Sequence, residues 1–158
     1  MQAQSKPMQK LTIHIQSASP AIEKSLSSIA SPAIIKKWVK AATKHSGLLT
    51  LRFVNPAEGK KLNLAFRNKD KPTNVLTFPY ELTKQSLAAD IIFCLPIVQR
   101  EAREQGKTTK AHLAHLIIHG CLHAQGHDHE RDKEAKKMES LEIKLLKNLG
   151  FPNPYLPV

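Results

Sequence analysis

Thr109-Lys110-Ala111-His112-Leu113-Ala114-His115-Leu116-Ile117-Ile118-His119-Gly120-Cys121-Leu122-His123-Ala124-Gln125-Gly126-His127-Asp128-His129 holds six of the chain's eight histidines. Residues 110–124 are strongly apolar and lack proline, which predicts a buried helix. His119 and His123 stand four apart, so they share one face, one turn apart. Imidazoles so placed can both reach one ion at about 2.0–2.1 Å. Gly126 is positioned to end the helix and turn the chain, because glycine accepts a positive φ without penalty. That turn can return His129 as a third ligand. His127 competes for the place, and the turn spacing favours His129. Three neutral imidazoles leave the fourth tetrahedral position open, the pattern of a catalytic rather than a closed structural zinc site.

The spacing H-x-x-x-H-x-x-G-x-x-H matches the ligands and glycine of the metzincin proteases. Those enzymes carry a glutamate directly after the first histidine as general base. Gly120 stands there in this chain, so a peptidase of that type would lack its base. His112 and His115 precede His119 on roughly the same face. They either line the cleft, orient a ligand as outer-shell partners do, or are ordinary hydrogen-bonded residues. Cys121 points about 160° from His119 on a helix of 3.6 residues per turn and is expected in the core.

The flanking sequence predicts a small mixed fold. Residues 10–16 alternate as a strand does, with Leu11, Ile13 and Ile15 on one side. A Ser-rich connection with a short helix near residues 22–29 leads to Pro32, which suits a helical first turn. Ile34, Ile35, Trp38, Val39 and Ala42 form a helical stripe ending near Gly47. Residues 48–54 read as a strand, 56–66 as a short helix, and 67–73 as a charged loop containing Pro72. Residues 75–79 and 90–95 are two further strands separated by a polar turn. Pro96 opens a helix that Gly106 stops, and Thr108 or Thr109 caps the next. Met138, Leu141, Leu145, Leu146 and Leu149 give residues 131–149 a helical stripe. The expected class is α+β or mixed α/β. It comprises a central sheet of about four strands, about five helices, and a zincin-like metal site on a helix and its following turn.

A single domain over residues 1–158 is expected, with 1–9 loose. The 158 residues, 41% of them hydrophobic, suffice for one core. Cys94 and Cys121 are too few for a disulfide framework, and both lie in apolar runs. A reducing, cytoplasmic location is therefore expected, with no membrane association. The amino-terminal ten residues lack the apolar run of a signal peptide. Lys and Arg number 24 against 13 Asp and Glu, a net charge of +11. Such an excess favours polyanionic partners, of which nucleic acid is the commonest. The charge is spread over the chain, as on a folded surface.

The ligand string, with Gly120, Leu122, Gly126 and Asp128, closely resembles the signature of the YbeY family of rRNA maturation factors. Leu62-Asn63-x-x-Phe66-Arg67-x-Lys69-Asp70-Lys71-Pro72-Thr73-x-Val75-Leu76-x-Phe78-Pro79 resembles a second family block. Ala89-Asp90-Ile91-Ile92 resembles the strand that follows, and Met138-Glu139-x-Leu141-Glu142 the closing helix. The similarity covers roughly residues 48–150. The departures are Asn74 for the family's usual aspartate, Ala89 for glycine, Ala124 and Gln125 for aliphatic residues, and His127 for tyrosine. Asn74 removes a carboxylate and any charge pair it would make. Ala124 and Gln125 are expected to loosen packing beside the turn.

The resemblance implies a single-strand-specific, zinc-dependent endoribonuclease acting in 16S rRNA 3′-end maturation and ribosome quality control. It implies one Zn²⁺ on His119, His123 and His129. Arg67, as the family-matched arginine, would grip the scissile phosphate. The implied partners are rRNA, the small ribosomal subunit and its assembly factors. Asp128 either orients an imidazole, shuttles a proton or caps the turn, and His115 is the other candidate supporting residue. Asp90 reads as structural, and no general base is identified. Phe66, Phe78 and Tyr80 are the nearest candidates for base stacking, with Phe66 and Phe78 expected in the core. An RNA-binding assembly factor with a mainly structural metal, and a zinc hydrolase of another substrate, are the alternatives.

Overall fold

The computed structural model describes residues 10–67, 73–127 and 131–157. Four strands, β1 (Leu11–Ser17), β2 (Ser46–Val54), β3 (Val75–Leu82) and β4 (Ser86–Cys94), form one sheet in the order β1-β2-β4-β3. β1, β2 and β4 run parallel, and β3 returns antiparallel along β4 as an edge strand. Six helices are described: α1 (Pro20–Ile29), α2 (Pro32–Ala42), α3 (Pro56–Arg67), α4 (Leu95–Glu104), α5 (Thr109–Ala124) and α6 (Asp132–Asn148). The mixed α/β class and four-stranded sheet match the sequence reading. The sixth helix is α1, which the Ser-rich segment forms in full. Ser19 caps it by accepting from the Ile22 N–H at 3.2 Å, and Pro20 presets its first turn.

Alternation along the central strands separates two apolar layers. Leu49, Leu51 and Phe53 of β2, with Leu87, Ile91 and Phe93 of β4, face the main core under α1, α2, α5 and α6. Phe53 and Phe93 stack there with centroids 5.1 Å apart. Each large side chain so buried contributes about 1.5–3 kcal/mol. Ile92 and Cys94 face the other way, into a smaller cluster with Val54, Leu76 and Ile97. Both cysteines are buried and reduced, and burial pushes the Cys121 thiol up to about 12. No helix among the described residues is long and apolar enough to cross a membrane.

Two expected boundaries move. β3 and β4 extend to a tight hairpin, because pairing with β4 carries β3 through Pro79 to Leu82. An edge strand tolerates that proline, whose missing N–H costs no ladder bond on the solvent side. Arg67, expected in a loop, is the last residue of α3.

Candidate active site

α5 runs through the middle of the helical layer, and nearly its whole circumference is buried. Its remaining side carries His115, His119 and His123. The His119 and His123 rings lie 6.3 Å apart by centroid. Both line a cavity of about 440 Å³ at the β3 edge, together with Phe66 and Arg67 of α3 and Asn74, Val75, Thr77 and Phe78. α5 ends where expected. Gly126 adopts φ +92°, its N–H donates to His123 O, and the His127 N–H donates to Leu122 O. These two bonds form the glycine-closed cap that reverses the chain after a helix.

One carboxylate organises the histidine row. Glu142 of α6 is 1% exposed. Its Oε2 lies 3.1 Å from His119 Nδ1 and its Oε1 2.5 Å from His115 Nε2. The Tyr155 hydroxyl donates to the same Oε1 at 2.6 Å. Burial would push this carboxyl upward, but the hydrogen bonds from His115, His119 and Tyr155 outweigh it and hold the group at about 2. An ionised carboxylate only accepts, so His119 carries its hydrogen on Nδ1 and His115 on Nε2. In neutral His119 the basic lone pair is then on Nε2. Ligating histidines are commonly held this way, with one nitrogen anchored on a carboxylate and the other left to the metal. The donor set therefore fits a divalent metal of the zinc type. Among the described residues no set of three His, Cys, Asp or Glu gathers to hold an ion. His129 and Asp128 lie outside those residues.

A second network borders the cleft. Glu101 of α4 accepts from Asn74 Nδ2 at 3.1 Å and from His112 Nε2 at 3.0 Å. Burial, the largest influence, lowers the His112 pKa despite that carboxylate.

Gly120 marks what this site is not. A Cβ built there would lie 2.8 Å from Ile91 Cγ2, inside the core. The position that bears the protease base in metzincins here faces the sheet rather than the cleft.

Residues 12–150 match the family described as Endoribonuclease YbeY. A protein of that name from Polynucleobacter asymbioticus is 72% identical over 147 residues, spanning 93% of this chain and 95% of that protein. A second, from Herminiimonas arsenicoxydans, is 49% identical and spans 93% and 96%. The chain belongs to the endoribonuclease YbeY family. A solution structure of a Thermotoga maritima protein is similar at a TM-score of 0.54 and 28% identity, covering 88% of this chain and 92% of that one.

Two departures from the YbeY pattern acquire physical reasons. Asn74 offers an amide to Glu101, where an aspartate would set carboxylate against carboxylate. Gln125 tightens the turn instead of loosening it. Its Oε1 accepts from the Lys44 N–H at 3.0 Å and sits 3.1 Å from His45 Nδ1. Its Nε2 donates to Ala42 O at 2.6 Å and Cys121 O at 2.9 Å. Gln125→Leu is therefore expected to cost roughly 1–2 kcal/mol, read as a lower urea midpoint at constant m in chelated protein.

Of the sequence candidates, the structure brings together Arg67, His119 and His123. His115 lies beside them on Glu142, while His112 turns to Glu101. Phe66, expected in the core, is 67% exposed; it stands in the last turn of α3, against Phe78 of the edge strand β3. Phe78 is half-buried and Tyr80 is 70% exposed. Asp90 accepts from the Tyr80 hydroxyl at 2.8 Å. Glu142 was not singled out by the histidine reading, although the sequence carries its signal. An acid sits on the apolar stripe of Met138, Leu141, Leu145 and Leu146, where nothing but a buried partner would keep it.

Proposed function

We propose that this protein is a zinc-dependent endoribonuclease that cleaves single-stranded RNA in rRNA maturation. In this reading it works in the cytoplasm with the small ribosomal subunit and its assembly factors as partners. His119, His123 and His129 would hold the metal and Arg67 would bind the scissile phosphate. The observation that carries the reading is the shared cavity: Arg67, the last residue of α3, lines one cleft with His123 and with His119, whose Nδ1 is held by Glu142. Family membership, the endoribonuclease name of the relatives and the +11 charge support RNA as the substrate.

Zinc, when bound, supplies Lewis acidity and a nucleophile usable at neutral pH. The chain supplies the rest. Glu142 keeps the His119 hydrogen on Nδ1, so that Nε2 remains a donor of its lone pair. The planar fork of the Arg67 guanidinium matches a phosphate with two parallel hydrogen bonds. Thr73, Asn74 and Thr77 add further polar groups to a cleft wall in which Phe66, Val75 and Phe78 are the apolar members.

Cleavage of an unstructured RNA by the purified protein, with and without chelator, tests the reading. Activity should disappear with chelator and in the His119→Ala, His123→Ala double variant. Arg67→Ala should lower kcat roughly 100- to 1,000-fold, as loss of one positioned charge-stabilising group does, with metal content unchanged. Chelator-insensitive cleavage, or unaltered turnover by Arg67→Ala, would sink the assignment.

A further inference from the structure

We propose a base-stacking subsite beside the cleft, in which the exposed rings of Phe66 and Tyr80 take unpaired bases of the RNA strand; it rests on the nuclease reading above. A second cavity of about 450 Å³ is lined by Phe66, Thr77, Phe78, Tyr80 and Asp90. It shares Phe66, Thr77 and Phe78 with the cavity that holds His119, His123 and Arg67. The two are thus one path over the β3 edge. A strand whose phosphate meets Arg67 has a neighbouring nucleotide within reach of the rings.

Single exposed apolar residues are ordinary on protein surfaces. These two differ because the fold holds them in place while leaving them uncovered. Phe66 rests edge-on against Phe78, with centroids 5.2 Å apart at 65°. Tyr80 is the residue that the β3–β4 register skips between Pro79 and Glu81. Such a bulge re-aims a side chain. The Tyr80 hydroxyl reaches Asp90, the partner of Phe78 across the ladder. The chain has only eight aromatic residues, and two of them stand 67% and 70% exposed on this one cavity.

Charge decides which part of a nucleotide faces the rings. Arg52 and Glu58 also line the second cavity and compensate each other as a pair at 2.8 Å, which leaves the Asp90 carboxylate as the remaining charge among its described lining residues. Carboxylates repel phosphate but accept from the amino groups of bases. Arg67 lies at the other end of the path. The backbone therefore runs past Arg67 and the bases turn inward. Bases in a duplex are already stacked and paired, so this subsite gives the enzyme a physical reason to prefer single strands.

The test is binding of a fluorescent, unstructured oligoribonucleotide to chelated full-length protein, with a matched oligonucleotide lacking one base. Phe66→Ala and Tyr80→Ala should each raise Kd roughly tenfold, as loss of one stacked base does. Phe66→Leu should behave like the alanine variant, and Tyr80→Phe, which keeps the ring but loses its hydroxyl bond to Asp90, should fall between the parent and Tyr80→Ala. The salt slope should not change, since no phosphate contact is removed. The alanine penalty should vanish on the oligonucleotide whose missing base faces that ring. Unchanged Kd in correctly folded alanine variants, or an equal penalty at every abasic position, would overturn the subsite. Ring-dependent binding without chelator-sensitive cleavage by the parent would support the subsite and overturn the nuclease reading. Cleavage with ring-independent binding would do the reverse.

Discussion

Glu142→Gln is expected to leave the chain folded and to weaken metal binding roughly 10- to 100-fold, the usual effect of losing a ligand's outer-shell partner. The carboxylate accepts from His115, His119 and Tyr155 at once. A glutamine of the same shape has one accepting oxygen and an NH₂ that only donates. Whichever way the amide turns, an N–H meets an N–H or O–H. If His119 escapes by moving its hydrogen to Nε2, it loses the lone pair the metal needs. Competition with a chelating dye measures the affinity directly, and unchanged affinity would show that Glu142 is only a structural acid. Stability gives an independent reading. The native carboxyl is held at about 2, below its ordinary 4.5. A depressed native pKa stabilises the fold fully above the ordinary value, and that contribution is lost as pH falls from about 4.5 through about 2. The glutamine variant should lose this part of the acid-unfolding limb, which parent and variant compared in chelator would show.

How much of this was legible in the sequence follows from distance along the chain. The His119–His123 pair and the Gly126 turn are local, so periodicity and glycine's backbone freedom suffice to read them. Thr108 and Gly106 mark the start of α5 and end of α4 for the same reason. The Glu142 bond to His119 closes 23 residues, and no local rule reports it; only the misfit of an acid on an apolar stripe does. Phe66 misled because its block is apolar enough for a core, while its exposure depends on where α3 ends relative to an edge strand. Gln125 misled for a similar reason. Its value lies in the Ala42–His45 connection, some 80 residues away, which composition cannot reveal.

Gly120→Glu, which restores the metzincin residue after the first histidine, is expected to unfold the protein rather than create a peptidase. A first carbon at this position already meets Ile91 Cγ2 at 2.8 Å, with Val75 Cγ2 at 3.6 Å. Ile91 is fully buried on the central strand β4, so it cannot swing aside into solvent. Overpacking of this kind costs about 1–3 kcal/mol. The remaining carbons and the carboxylate must enter the same apolar layer, where an unpaired charge costs several kcal/mol more. Together these exceed the usual effect of a point substitution and approach the whole stability of a domain this size. Gly120→Ala separates the two contributions. It keeps the steric conflict without the charge, and gains up to about 1 kcal/mol from better helix propensity. Its net loss should be small, about 0–2 kcal/mol in urea unfolding. A well-folded glutamate variant would mean that this side of α5 opens to the cleft. The cost would then not explain why a glycine stands beside His119, and the exclusion of peptide chemistry would rest on the missing base alone.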